Sequence, residues 1–436
     1  MLQKIFTFSK PSVEDLFSGF FVFLVALPLC MGIAMASGFP AVSGIFTAII
    51  GGCIASFIGS APLTIKGPAA GLIAIVIGAV QELGVGDMAL GYKRTLAVGV
   101  IAALIQIFFA IMRVGSLAAL MPIPVVHGML AAIGVIIVSK QIHLLFGVTP
   151  VAKTPFGLLA EIGNSATKIN PEVFTIGLIA FLLLIILPRI NWSWLKKIPI
   201  PLIVVAVTVP LSLFFDFNHA HQYHIFGKIY SVGPQFLVTL PEHMLGAITL
   251  PDFSAIFSFP SMKYIAMLSL VGSIESLLTV TAAEAIKPSE KPADLNKDLF
   301  STGIANFISA MIGGLPMISE IVRTKVNIDN GAKSSWSNVF HGIFLWIFAA
   351  FLPHLLHLIP LTVLAAMLVF TGFRLASPQE FLKMLRAGKE SFLLFIATLV
   401  MTLATDLLLG VIFGLVLKLF LQKSREVYYA RKAISR

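Results

Sequence analysis

The stretch Gly314–Ser335, GLPMISEIVRTKVNIDNGAKSS, places Glu320, Arg323, Lys325 and Asp329 within ten residues of one another. Long apolar runs flank it on both sides. A charged side chain costs about 2.5–3.5 kcal/mol or more at the centre of a bilayer, so ionisable residues in membrane segments mark functional sites. The stretch therefore predicts a polar site inside a membrane protein.

The composition of the 436-residue chain supports a membrane location. Hydrophobic residues make up 58% and charged residues 11%, and the mean hydropathy is +0.98. These values lie outside the range of soluble globular proteins. A helix needs about 20 apolar residues to cross the hydrocarbon, so we predict an all-α polytopic membrane protein, a single transport domain over residues 1–436, with about fourteen segments. The segments begin near Phe17, Ser43, Gly67, Leu96, Ala118, Phe174, Ile200, Tyr264, Leu299, Ile321, Trp336, His357, Ser391 and Leu407.

The distribution of Lys and Arg predicts the orientation of these segments. With fourteen crossings, most of the 30 basic residues fall on the side of the N-terminus, as is typical of cytoplasmic loops. We expect the bacterial inner membrane, both termini in the cytoplasm, and a short basic tail over residues 423–436. This bias accounts for the formal net charge of +10. The sequence has no basic patch interleaved with aromatic residues, so it does not predict nucleic-acid binding.

A second stretch interrupts the hydrophobic pattern in the same way. Gly59–Gly71, GSAPLTIKGPAAG, aligns with Gly313–Lys325, GGLPMISEIVRTK, and the alignment places Lys66 opposite Glu320, an offset of 254 residues. Each stretch begins as an extended segment led by proline and continues as an apolar run too short to span the bilayer as a helix. We therefore predict two short half-helices, in segments 3 and 10.

Interrupted segments at matching places in two halves of a chain predict a transport site at the interface of two repeats. With seven segments in each half, an odd number, the second half must be inverted relative to the first. We predict inverted repeats over residues of about 12–216 and 260–422.

Arg323, in the first turn of the second half-helix, is a candidate anion ligand. The helix macrodipole supplies about +0.5 charge and unpaired N–H groups at this end, so a cation there is unfavourable on its own. Two helix N-termini and a guanidinium together suit an oxyanion. The alternative is that Arg323 only pairs with Glu320, three residues earlier.

Two further intramembrane charges need partners. We expect Lys66 and Glu320 to form a structural ion pair beside the site, because unpaired charges are costly in the membrane; the alternative is that Lys66 contacts the substrate directly. Glu275 lies deep in another segment with hydroxyl side chains nearby, which predicts a coupling site for H⁺ or Na⁺. The alternative is that Glu275 hydrogen-bonds a half-helix and only supports the architecture.

Other classes of function are disfavoured. The sequence has no Gly-rich phosphate loop of the kind that an ATP-driven pump needs. It also has no Ser/His/Asp or paired-carboxylate arrangement that would predict an enzyme. His219, His221 and His224 have metal-like spacing but fall in a predicted external loop of low order, so we predict no metal and no cofactor. Cys30 and Cys53 lie in separate apolar segments, which disfavours a disulfide.

Four stretches resemble one family of membrane proteins. Asp15–Gly52, DLFSGFFVFLVALPLCMGIAMASGFPAVSGIFTAIIGG, resembles the opening of the SulP anion permeases, which include sulfate and bicarbonate transporters. TIKGPAAG, SIESLL and VRTKVNIDNGAKS resemble the family's third, eighth and tenth helices in order. The resemblance implies a core domain that carries the anion and moves against a gate domain. Most members continue into a cytoplasmic STAS domain, which we do not expect here because the sequence stops at Arg436.

The resemblance also implies which residues surround the anion, between the facing ends of helices 3 and 10. By position these are Leu29 and Ile33 from helix 1, Gly67, Pro68 and Ala69 from helix 3, Glu275 from helix 8, and Ile321, Val322 and Arg323 from helix 10.

We therefore expect a secondary-active transporter of sulfate, bicarbonate or a similar inorganic anion, coupled to H⁺ or Na⁺, embedded in the lipid bilayer and able to form a homodimer. Two alternatives remain. One is a carboxylate or nucleobase permease of the same architecture, which Glu275 and Glu320 would fit. The other is a non-transporting membrane scaffold or motor-like sensor, which would need no coupling carboxylate.

Overall fold

The computed structural model describes residues 10–115, 122–152, 154–191, 198–225, 227–241, 243–288, 292–405 and 407–434. The helices of the first half are α1 Val13–Ala36, α2 Ala41–Ile50, α3 Ser56–Ile58, α4 Ile73–Gly84, α5 Met88–Ile111, α6 Ile123–Leu145, α7 Pro155–Ala166, α8 Pro171–Ile186 and α9 Ile200–Phe214. Those of the second half are α10 Phe259–Ile286, α11 Leu295–Met311, α12 Ile321–Asp329, α13 Trp336–Phe351, α14 Pro353–His357, α15 Leu361–Leu375, α16 Pro378–Arg386, α17 Lys389–Ala404 and α18 Leu407–Ile434. The strands are β1 Lys66–Pro68, β2 His221–Ile225, β3 Lys228–Val232 and β4 Met317–Ser319.

The prediction of an all-α polytopic membrane fold is confirmed. Within the described residues, seven helical stretches are long and apolar enough to cross a membrane, and shorter apolar helices accompany them. Helices occupy the places of the predicted segments, although Ala118 lies outside the described residues. The count of fourteen crossings stays a prediction.

The start predicted near Leu96 is wrong by about two turns. Helix α5 begins at Met88, because the side chain of Asp87 accepts hydrogen bonds from the backbone N–H groups of Ala89 and Leu90. Oxygen acceptors of this kind satisfy the unpaired donors of a helix start. Lys93 and Arg94, which follow this start, are therefore helical and do not belong to a loop.

The helices pack in two groups that correspond to the expected core and gate. In the first group, α5 packs against α11, α1 against α13 and α4 against α5. In the second group, α6 packs against α15 and α17, and α8 against α15. Helix α1 also contacts α15 and α9, so the two groups meet along α1.

Strands β1 and β4 pair antiparallel, in the first group, immediately before the two half-helices. Lys66 lies opposite Ser319, Gly67 opposite Ile318, and Pro68 opposite Met317. This confirms the prediction that extended segments precede the half-helices. Because the strands run in opposite directions, the chain leaves the pair at opposite ends, and α4 and α12 extend away from it on opposite sides.

The hydrogen bonds around this strand pair have twofold symmetry. The N–H of Ala69 donates to the Pro316 carbonyl at 3.4 Å, and the N–H of Glu320 donates to the Ile65 carbonyl at 2.8 Å. Adding 251 to the residue numbers 69 and 65 gives 320 and 316, so each hydrogen bond becomes the other when the two halves are exchanged with this offset. The sequence alignment, with an offset of 254, is therefore wrong by three residues, because it matched the prolines rather than the points where the helices begin.

Two elements between the half-helices were not predicted. The stretch assigned to a loop of low order forms a β-hairpin, in which β2 pairs with β3 from His221 opposite Val232 to Ile225 opposite Lys228. The Tyr223 hydroxyl donates to the Asn170 side chain at 2.7 Å and so ties the hairpin to the start of α8. The other element is helix α7, capped by Thr154. Among the described residues, no group of three His, Cys, Asp or Glu side chains could hold a metal ion.

Candidate functional site

The backbone of the site is built by the two half-helices that start at the strand pair. After β1, Ala70–Leu72 form a 3₁₀ turn that continues into α4, and after β4 helix α12 begins at Ile321. Neither helix start is capped by its preceding side chain, since Glu320 makes no capping hydrogen bond to α12. The first N–H groups of each helix have no partner within the helix, and that of Ala70 donates to the Glu320 side chain.

The Arg323 side chain crosses from the second half-helix to the first. It is 1% exposed. Nη2 donates to the Pro68 carbonyl at 2.8 Å, and Nη1 approaches Cys30 Sγ on α1 at 3.4 Å. A Cβ atom at Gly67 would lie 2.3 Å from Nη1, so only glycine leaves room for the guanidinium here. Arg323 is therefore held by three elements, β1, α1 and its own helix.

Glu320 already places a carboxylate at the start of the first half-helix. Its Oε1 accepts a hydrogen bond from the Ala70 N–H at 3.2 Å and lies 3.9 Å from Arg323 Nη2. Pairing with Glu320 is thus part of the environment of Arg323 but not all of it, because the shorter bond is to Pro68. An anion that approached Arg323 would meet a resident negative charge.

Glu275 lies behind this contact, on α10. The residue is 5% exposed, and neither carboxylate oxygen has a hydrogen-bond partner in the described part of the chain. A Cβ atom at Gly71 would lie 2.1 Å from Oε1. Glu275 therefore forms no hydrogen bond with a half-helix among the described residues, and the alternative that it does is wrong. Glu275 and Glu320 instead contact adjacent residues of one turn, Gly71 and Ala70.

The predicted ion pair between Lys66 and Glu320 is wrong. Lys66 Nζ pairs with both carboxylate oxygens of Asp298, at 2.8 and 2.9 Å, and donates to Ser319 Oγ at 3.2 Å. Lys66 is 2% and Asp298 0% exposed, so Lys66 does not contact substrate in this arrangement. Asp298 was not among the predicted site residues, because it immediately precedes the segment predicted to begin near Leu299. An acidic residue in the first turn of an apolar segment was the available signal.

A cavity of about 630 Å³ opens beside Arg323, between α1, α12 and α15. We call it the Arg323 cavity. Of the residues predicted from the sequence, Leu29, Ile33, Glu320, Val322 and Arg323 line it. The others, Gly67, Pro68, Ala69, Ile321, Lys66 and Glu275, lie around the strand pair and α10 and do not line the cavity. Ala70 and Arg374, which were not predicted, do.

Comparison with known proteins agrees with this architecture. Residues 13–398 match the model of the sulfate permease family. A putative sulfate transporter of Bacillus subtilis, YvdB, is 30% identical over 411 residues, which cover 93% of this chain and 72% of that protein. The bicarbonate transporter BicA of Synechocystis is 26% identical over 425 residues, covering 96% of this chain and 71% of that protein.

Solved structures show the same fold. The transmembrane domain of a cyanobacterial bicarbonate transporter BicA superposes with a TM-score of 0.75 at 26% identity, over 91% of this chain and 96% of that chain. SLC26A9 superposes with a TM-score of 0.80 at 17% identity, over 94% of this chain and 64% of that chain, which supports the fold alone. The predictions of the family, and of a membrane transporter rather than an enzyme, are confirmed. The chain belongs to the sulfate permease family.

Proposed function

We propose that this chain is a secondary-active transporter of an inorganic oxyanion of the sulfate or bicarbonate type, and that the anion binds in the Arg323 cavity. The names of the similar proteins support an anion as substrate. The single observation that carries the proposal is the placement of Arg323, a guanidinium at 1% exposure beside a cavity of about 630 Å³. A planar guanidinium offers paired donors that match an oxyanion.

Anion binding in this cavity requires the Glu320 carboxylate to lose its charge or to move. This carboxylate accepts the hydrogen bond of the Ala70 N–H and lies 3.9 Å from Arg323 Nη2, so it occupies one donor that an anion would use and lies close to another. Two negative charges at that spot repel each other. Protonation of Glu320, or its movement away from Ala70, would leave Arg323 and the helix N-terminus to the substrate.

We propose Glu275 as the coupling carboxylate. Buried carboxylates without hydrogen-bond partners are costly unless a cation or a proton joins them, and both oxygens of Glu275 are in this position among the described residues. Its neighbour Gly71 follows Ala70, to which Glu320 is bound. Binding of H⁺ or Na⁺ at Glu275 would reduce the negative charge next to the anion site and so favour cation and anion binding together.

Movement of the core against the gate would carry the anion across. The Arg323 cavity lies on this boundary, since α1 and α12 form one wall and α15 the other. We further propose the bacterial inner membrane with cytoplasmic termini, and a homodimer, as the sequence predicts.

Uptake of labelled sulfate and bicarbonate into proteoliposomes, with and without H⁺ and Na⁺ gradients, tests the proposal. We expect one of these gradients to drive uptake, and Arg323→Ala to reduce it at least tenfold, about the effect of losing one strong charge-assisted bond. Arg323→Lys should recover little, because an ammonium lacks the planar pair of donors.

Lys325→Ala is the matched control. Lys325 lies two residues further along the same helix, is exposed and does not line the cavity, so its replacement should leave uptake unchanged. Uptake by Arg323→Ala at the wild-type rate, in protein that elutes as a single species, would refute the site.

A nucleobase or carboxylate permease is the second candidate. It is favoured by one observation, the acidic side chain of Glu320 in the cavity, which could accept hydrogen bonds from a neutral base. Uptake of labelled uracil in place of both anions would decide for it.

A further inference from the structure

A second cavity lies on the other side of the strand pair. Its volume is about 520 Å³, and its walls come from α4, α6, α10 and α17. Residues Ala74 to Gln81 of α4 line it, whereas Val322 to Asn330 of α12 line the Arg323 cavity. Because α4 and α12 leave the strand pair at opposite ends, the two cavities approach the pair from opposite sides of the membrane. We call the second one the Lys140 cavity.

Lys140 of α6 faces this cavity with its charge uncompensated. Its Nζ donates to the Ala36 carbonyl, at the last residue of α1, at 3.1 Å. In the described part of the chain Lys140 forms no ion pair, whereas the other lysine of the cavity, Lys263, is paired with Glu82 at 2.6 Å. An ammonium has three donors, so two remain after the bond to Ala36.

The contact with α1 explains part of this arrangement. Helix ends carry unpaired carbonyl groups and about −0.5 charge, which a lysine stabilises. That contact does not need a cavity beside the lysine. Lys140 borders a cavity large enough to hold water, and among the described residues no carboxylate pairs with it, so the ammonium gives the cavity a positive potential.

We propose that Lys140 forms a second binding site for inorganic anions, on the side opposite Arg323. It rests on the proposed function and extends it. The anion that leaves or approaches Arg323 on one side meets Lys140 on the other. The ligand class is a small oxyanion such as sulfate or bicarbonate, held by one ammonium and water rather than by a guanidinium, and therefore bound more weakly than at Arg323.

The concentration dependence of sulfate uptake tests this site. Lys140→Gln keeps a donor toward the Ala36 carbonyl but removes the charge. We expect it to raise KM for sulfate about fivefold at low salt, the size of one hydrated charge contact, and less at high salt. Lys140→Arg should stay within twofold of the wild type.

A double variant, Glu82→Gln with Lys263→Gln, is the matched control. It removes a lysine from the same cavity together with its partner, so the net charge is unchanged and KM should be too. If Lys140→Gln leaves KM at the wild-type value, Lys140 only caps α1 and the proposed site is wrong.

A labelling experiment separates this inference from the proposed function, because it needs no transport. Thr149 is exposed in the Lys140 cavity. We expect sulfate, at constant ionic strength, to slow the reaction of a Thr149→Cys variant with an anionic thiol reagent, and Lys140→Gln to abolish this protection. Protection that is absent, or that survives Lys140→Gln, overturns the site even if uptake behaves as proposed. Protection that depends on Lys140 supports the site even if Arg323→Ala transports normally.

Discussion

The two half-helices share a backbone but not a chemistry. Around β1 the chain supplies small residues, Gly67 and Ala69, while the symmetry-related positions around β4 carry Ile318 and Glu320, followed by Arg323. The small residues of the first half make room for the charges of the second, as Gly67 does for the guanidinium. Beside the Arg323 cavity the first repeat provides space and the second provides charge, whereas the charge of Lys66 in β1 is neutralised by Asp298. Substitutions that make the halves alike should therefore impair the protein, each in its own way.

The largest effect should follow Lys66→Met, which gives β1 the residue found at the related position of β4, Met317. The substitution leaves Asp298 buried and unpaired, and breaking a buried ion pair costs about 3–5 kcal/mol. We expect a large fall in the melting temperature of the detergent-solubilised protein. Met317→Leu, equally buried, is the control and should melt near the wild type.

The double variant Lys66→Met with Asp298→Leu should recover much of this stability, since buried pairs can often be replaced by apolar residues. A single Lys66→Met variant that melts like the wild type would show that the pair contributes little.

The next effect should follow Gly67→Ala. The added Cβ would lie 2.3 Å from Arg323 Nη1, so the guanidinium must leave its place. A displacement of about 1 Å in a binding site can cost about 100-fold in activity, and we expect sulfate uptake to fall to that extent while the protein remains folded. Gly163→Ala in α7, where a Cβ meets no atom within 4 Å, should be silent. Normal uptake by Gly67→Ala would mean that Arg323 need not occupy this position.

A smaller effect, of opposite sign, should follow Glu320→Gln. Gln keeps an oxygen for the Ala70 N–H but removes the negative charge beside Arg323. Deprotonated Glu320 repels the anion, so wild-type affinity should rise as the pH falls. The variant should bind sulfate about tenfold more tightly at neutral pH, equivalent to about 1.4 kcal/mol, and show a flatter pH dependence. Measurement of KM against pH checks this, and unchanged affinity would place the anion elsewhere.

The smallest effect should follow Cys30→Ala. Sulfur is a weak acceptor, and the 3.4 Å contact from Arg323 Nη1 to Cys30 Sγ is longer than the 2.8 Å bond from Nη2 to the Pro68 carbonyl. We expect a change of less than about twofold in KM for sulfate. A loss as large as that of Gly67→Ala would show that α1, rather than β1, positions the guanidinium.

Much of this site could be predicted from sequence because the membrane leaves few options. An apolar run interrupted by proline and charge predicts a short helix, and this identified both half-helices and Arg323. Pairing of the charges could not be predicted, because Lys66 and Asp298 are 232 residues apart and only the fold brings them together. The three-residue error in the repeat alignment has a related cause, since proline positions do not fix where a helix begins.

The elements that were missed lie outside the apolar segments. The hairpin of β2 and β3 and the helix α7 have no long hydrophobic run, so the length rule for membrane segments did not detect them. Glu320 was predicted beside the site, but not its bond to Ala70, which depends on how the strand pair orients the two helix ends.

The strand pair also has a consequence for how the protein is made. When β1 enters the membrane, neither Asp298 nor Ser319, the partners of Lys66, has been synthesised, because they follow 232 and 253 residues later. At about 5–20 residues per second the ribosome takes roughly 10–50 s to reach them. Unpaired backbone groups and a lone ammonium are costly in lipid for that long. The nascent first half must therefore wait in a protected setting, at the translocon or against a membrane chaperone, until the second half arrives.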